Sequence, residues 1–160
     1  MYKLNKITHV YQEGANDKLH NGIDIFVKSN TRIYAAFDGE IEKIDSSTKS
    51  MYLKSENFGY HYEKGATDSG GVNDAIGRDT SVRYYNVIPA GTIMEGSKVK
   101  AGDVIGYTTG DICCSGSDNT RYVADPYLHF EVYVDKDGIG WDYVDPIPLL
   151  GNKYTIGRIY

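Results

Sequence analysis

The chain has 160 residues, 41% hydrophobic and 24% charged, which excludes a disordered or fibrous protein and suits one domain rather than two. Lys and Arg total 17 against 22 Asp and Glu, a formal charge of −5, which argues against a protein held to nucleic acid through its phosphates. No apolar run approaches the ~20 residues of a membrane span, and Met1 to Val10 lacks the apolar core of a secretion signal.

With 18 Gly, four Pro and 15 Tyr, the composition suits a turn-rich β protein whose half-exposed strands carry phenol rings. The apolar patterns have period two, and no helix of useful length is predicted. In chain order, Ile23 to Val27 and Arg32 to Phe37 read as strands, and Asp38-Gly39 turns the chain into an alternating strand, Glu40 to Ile44. Ser50 to Lys54 and Ser81 to Ile88 are expected to pair. Between them lies a polar, Gly-rich stretch, residues 55–80, with Gly70-Gly71; stretches of that length are often functional. Val99 to Tyr107 reads as strand, turn, strand, a hairpin around Ala101-Gly102-Asp103.

A second polar loop, residues 110–125, holds the two cysteines, Cys113 and Cys114, side by side. A bridge between neighbouring cysteines is strained, so both are expected to be reduced, and they say little about compartment. Tyr127 to Val134 is the clearest strand: Tyr127, His129, Glu131 and Tyr133 alternate with Leu128, Phe130, Val132 and Val134. There is no repeat and no linker. The expectation is a single all-β domain over residues 1–160.

Two short constellations carry chemistry. His20-Asn21-Gly22-Ile23-Asp24 pairs two side-chain types that bind zinc or move protons. In a straight strand their Cα atoms would stand about 13 Å apart, so they share an ion only if the chain bends, and Asn21-Gly22 offers the bend. The alternative is a turn with two solvated polar residues. In Tyr127-Leu128-His129-Phe130-Glu131 the alternation sets His129 beside Tyr127 on the more polar face, over a buried face that would hold the strand rigid. That suits a metal ligand; the alternative is an ordinary hydrogen-bonded histidine.

Taken together, and in this order, these pieces resemble the lysostaphin-type (LytM-like) zinc peptidases that cut peptidoglycan. The matching segments are His20 to Ile25, Ile33 to Ile41, Lys98 to Gly106 with Thr109-Gly110, Leu128 to Val132 and Asp145-Pro146, so the resemblance runs over about residues 18–150. It implies a compact antiparallel β fold with long loops around a metal groove. It implies one zinc ion held by His20, Asp24 and His129, with a fourth position open to the water that attacks a peptide carbonyl. The partner it implies is peptidoglycan or its stem and cross-bridge peptides, and the location extracellular or cell-wall associated.

The chain departs from the family pattern twice. Active members read His-x-His on the last strand, and here the first position is Tyr127. They also carry a His in a Tyr-x-His-Leu stretch, and here Tyr85-Asn86-Val87-Ile88 places Val87 at that position. The histidines of the family serve the attacking water and the oxyanion. Tyr127, the catalytic candidate left, is a phenol with an ordinary pKa near ~10, able to donate a hydrogen bond but a poor base. Loss of a positioned acid/base group costs about 10²–10⁴-fold, so weak hydrolysis is expected.

His61, in the long insertion, is either a substitute base or a solvated loop residue. Cys113 and Cys114 are either thiolate ligands near the site or ordinary loop residues. The tyrosines either line a groove for glycan and peptide or pack the strands. The competing function is a catalytically inactive relative kept as a wall-binding or protein-interaction module. A biotinyl- or lipoyl-type domain would need a lysine at a turn tip, and Ile93-Met94-Glu95-Gly96 has none.

Overall fold

The computed structural model describes residues 5–9, 20–56, 80–109, 127–135, 141–146 and 154–156. Gly70-Gly71, His61, Cys113 and Cys114, with the roles weighed for them, lie outside the described residues. All regular elements among the described residues are strands: β1 (Asn5–His9), β2 (Ile23–Phe26), β3 (Arg32–Tyr34), β4 (Gly39–Asp45), β5 (Ser50–Ser55), β6 (Thr80–Tyr85), β7 (Val87–Pro89), β8 (Lys98–Val99), β9 (Val104–Thr108), β10 (Tyr127–Asp135), β11 (Trp141–Val144) and β12 (Tyr154–Ile156).

They form two sheets. The larger runs β12-β1-β2-β10-β6-β5-β4-β8, with β11 also paired to β10, and the smaller runs β3-β9-β7. The pairs are antiparallel except β1 with β12. The nine-residue β10 is long enough to serve three neighbours. β2 pairs with Tyr127 to Phe130, β11 with Val132 to Asp135, and β6 with His129 to Val134. The expected pairing of residues 50–54 with 81–85 is present as β5 and β6.

One apolar cluster takes residues from both sheets: Ile23, Ile41, Leu53, Val82 and Val132 from the larger, Ile33, Val87 and Ile105 from the smaller. Each aliphatic side chain buried this fully is worth about 1.5–3 kcal/mol. Leu128, Phe130, Val132 and Val134 all lie in that cluster, as the alternation of β10 predicts. The opposite face of β10 is more covered than alternation suggests, since Glu131 and Tyr133 are buried too. Tyr84 ties the sheets together: the Ala36 N–H donates to its hydroxyl at 3.0 Å, and the hydroxyl donates to the Tyr34 carbonyl at 3.3 Å.

The structure corrects three readings of the sequence. The strand read as residues 32–37 ends at Tyr34. The run Ser81 to Ile88 is broken at Asn86, whose φ is +64°, a conformation asparagine tolerates better than most residues. Asn86 bonds across the break: its Nδ2 donates to the Tyr127 carbonyl at 3.0 Å, and its carbonyl accepts from the Thr109 N–H at 2.9 Å. The chain thereby leaves the larger sheet, and β7 joins β9 in the smaller. Finally, the segment Val99 to Tyr107 is a corner and not a hairpin: β8 pairs with β4, while β9 pairs with β3 and β7. Asp38 pins this corner to the one between β3 and β4, accepting from the Ala101 N–H at 2.8 Å and from Lys100 Nζ at 3.2 Å.

Candidate metal centre

His20 precedes β2, Asp24 sits within it, and His129 lies directly opposite Asp24 on β10. Residues 21 and 22 form the bend that the sequence offered. Glycine is required there by close approach, because a Cβ on Gly22 would run into the Phe130 carbonyl oxygen. The bend lets His20 fold back over Asp24, so that His20 Nε2 is 3.2 Å from Asp24 Oδ1. His129 Nδ1 completes the group, 2.7 Å from the same oxygen and 3.1 Å from His20 Nε2. Asp24 is buried, and the two imidazoles are partly so.

Three atoms with lone pairs thus face one point. Protons can bridge some of these contacts but leave others with lone pair against lone pair, whereas one cation satisfies all three. Ligands 2.0–2.2 Å from a tetrahedral centre would stand about 3.3–3.6 Å apart, so a small outward adjustment of the three side chains would seat zinc. The donor set, two nitrogens and a carboxylate oxygen, is one that zinc accepts in sites keeping an open position. The electrostatics point the same way. Burial works against a charge on His129, but hydrogen bonds to Asp24 and Glu131, together with their charges, push its pKa up to about 9. The surroundings therefore favour a positive charge at this point.

The sequence did not assign functions to several groups at this site. Tyr85, opposite His129 on β6, sets its ring edge-on to the imidazole, 5.4 Å between centroids. Burial, then the charge of Glu131, pushes the Tyr85 phenol well above its ordinary pKa, so it is a neutral group at pH 7. Glu131 Oε1 accepts from His129 Nε2 at 3.1 Å. On the other side, the β1–β2 ladder carries a register shift that places His9 opposite Asp24. Period-two alternation could have flagged Glu131. Nothing in the sequence pairs His9 with Asp24.

Of the positions that depart from the family pattern, Tyr127 pairs with Phe26, one step along β10 on the same face as His129 by alternation. Val87 is 2% exposed and belongs to the apolar cluster. The left-handed Asn86 beside it turns β7 away from the larger sheet.

A search of the curated proteins returns no match. Among solved structures, the catalytic domain of the antimicrobial peptidase lysostaphin from Staphylococcus simulans matches with a TM-score of 0.56 at 22% identity, over 91% of this chain and 92% of that one. A zinc-containing peptidase from Vibrio cholerae matches with a TM-score of 0.58 at 18% identity, over 90% of this chain but only 36% of that one. A point mutant of the catalytic domain of a prophage-encoded M23 protein from Enterococcus faecalis matches with a TM-score of 0.54 at 19% identity, over 92% of both chains. These likenesses establish the lysostaphin-type fold. The model of peptidase family M23 matches residues 18–146, which contain His20, Asp24 and His129, and the chain belongs to that family.

Proposed function

We propose that residues 1–160 form a single LytM-like domain that holds one zinc ion through His20 Nε2, Asp24 Oδ1 and His129 Nδ1. We further propose that its target is the peptide part of bacterial peptidoglycan, met outside the cell or in the wall. The observation that carries this reading is the convergence of the three donor atoms, 2.7–3.2 Å apart, at the bend before β2. Zinc in such a site polarises a carbonyl and lowers the pKa of water toward 7. Asp24 supplies the negative charge that a dication needs. His20 and His129 would supply neutral nitrogens.

Tyr127 sets the limit on catalysis. A neutral phenol there can donate a hydrogen bond to a developing oxyanion, a contribution of about 10²–10³-fold where it is well aimed. It takes a proton poorly at pH 7. Val87 can neither donate nor accept, and its burial in the core removes it from proton transfer altogether. Hydrolysis is therefore slow.

The same observation supports a second reading, in which the domain binds zinc and wall peptide without turnover and serves as a recognition module. Zinc content and release of soluble fragments from purified sacculi separate the two. One zinc per chain with slow release supports the peptidase. One zinc with retention on sacculi and no release supports the module. Protein without zinc affinity overturns both.

A further inference from the structure

Beside the donor cluster, β10 and β6 hold a charged pair that the proposed chemistry does not use, with Glu131 buried and Arg83 partly exposed. Glu131 is 6% exposed. One of its oxygens, Oε1, accepts from His129 Nε2. The other, Oε2, makes no hydrogen bond among the described residues and lies 3.7 Å from Arg83 Nη1. Glu131 and Arg83 are direct partners in the β10–β6 ladder. The Arg83 guanidinium is held in turn by tyrosines: it lies 4.7 Å from the Tyr52 ring centroid and 4.5 Å from that of Tyr133, and Nη1 donates to the Tyr143 hydroxyl at 2.9 Å.

A pair of this kind is poor value as a stabilising device. Removing the Glu131 carboxylate from water is costly, and well-packed apolar residues in place of such a pair are often neutral or stabilising. What the pair does is orient His129. An imidazole that offers Nδ1 to a cation must carry its proton on Nε2, and a mostly buried Nε2–H needs an acceptor. Glu131 is that acceptor. A carboxylate as buried as this one needs a fixed countercharge, and Arg83 is placed to be it. The flat guanidinium, sandwiched between phenol rings, has little freedom to leave.

We propose that Glu131 is a positioning residue for His129 and that Arg83, held among Tyr52, Tyr133 and Tyr143, fixes Glu131 in turn. The metal site then depends on a line of contacts reaching from the donor cluster through β10 to β6. This rests on the zinc reading above.

The test is zinc affinity, measured by chelator competition on the full chain. Arg83→Met combined with Glu131→Leu replaces the ion pair with apolar side chains. The double variant is expected to fold as stably as the wild type in urea yet bind zinc about 10–100-fold more weakly. Leu53→Ala, on the core face of β5, is the control: it lowers stability and leaves zinc affinity unchanged. Glu131→Gln keeps shape and an acceptor oxygen but loses the charge, and is expected to bind zinc more weakly than the wild type but by less than the double variant; its loss of affinity decides the matter if the double variant does not fold.

Nitrogen-15 NMR of zinc-loaded protein reads His129 directly, with the proton on Nε2 and the metal on Nδ1 in the wild type and a mixture of nitrogens in the double variant. A folded double variant with wild-type affinity, a Glu131→Gln variant with wild-type affinity, or an equal loss in Leu53→Ala overturns the inference and leaves the zinc reading standing. A wild type that binds no zinc overturns both.

Discussion

His20, Asp24 and His129 bring three donor atoms to within 2.7–3.2 Å of one another, while positions 87 and 127 carry a valine packed in the core and a tyrosine on β10. The cluster offers three donor atoms that could hold a divalent cation, whereas neither Val87 nor Tyr127 carries an imidazole to manage a proton. Holding a metal and using it are thus separable properties of one β surface. The first needs register between β2 and β10, which the backbone supplies. The second needs particular side chains one step farther along the strands.

The largest expected effect breaks the cluster itself. His129→Ala is expected to take zinc content, measured on purified protein, from one per chain to none. An equal content in both proteins would falsify the ligand assignment.

Repairing the rim comes next. Tyr127→His returns an imidazole of ordinary pKa ~6.5 to β10 and is expected to raise fragment release from sacculi by up to about 10²–10⁴-fold where the zinc content is unchanged. Val87→His carries a penalty that position 127 does not, since a polar ring in the apolar cluster costs about 1–3 kcal/mol. Alone it lowers the melting temperature and adds little turnover. Combined with Tyr127→His it is expected to add nothing to the gain from Tyr127→His, because position 87 faces the core. A wild type as fast as the repaired enzyme would erase the distinction between cluster and rim, and point to His61 as the base.

A smaller effect comes from the bend that joins the two regions. Gly22→Ala forces a methyl group against the Phe130 carbonyl oxygen. It is expected to cost about 1–3 kcal/mol in urea unfolding and to weaken zinc binding by moving His20 off the point that Asp24 and His129 share. Unchanged affinity in a destabilised Gly22→Ala protein would show that His20 is not held by the bend.

The smallest effect concerns the metal-free protein. The folded pKa of His129, about 9, lies above its ordinary value of 6.5. A raised pKa means that the folded state binds this proton more tightly, so the stability it contributes is fully present below about 6.5 and is lost as pH rises through about 9. Urea unfolding with a strong chelator present should show this decline, and His129→Gln should flatten it.

Much of the fold and of the site was legible in the sequence, for identifiable reasons. Strict alternation over Tyr127 to Val134 revealed β10 and the face that carries His129, because a strand buried on one side must repeat every two residues. Asn21-Gly22 announced a bend because few other pairs allow so close an approach. Membership of the family was readable from ordered short segments. The corner at Ala101-Gly102-Asp103 was misread as a hairpin because the choice between pairing with the next strand and crossing to another sheet is made by distant partners, β4 for β8 and β3 for β9. The break at Asn86 hid in an apolar run, with only the asparagine as a signal. Glu131 and Arg83 are 48 positions apart in sequence and meet only through the β6–β10 ladder.

The span of the donor set has one more consequence. Asp24 and His129 are separated by 105 positions in the chain, and their strands are hydrogen-bonded neighbours. An ion seated between them closes a loop of that length much as a cross-link does, and long closures remove the most freedom from the unfolded chain. The point where the ion sits exists only once the sheet is assembled across β2, β10 and β6, so binding reports completed folding rather than a local turn. Each tenfold rise of free zinc above its dissociation constant then adds about 1.4 kcal/mol to the stability of the whole domain. A bound zinc ion would then act as a reversible clasp that sets how long the protein survives proteases, whether or not a peptide bond is ever cut.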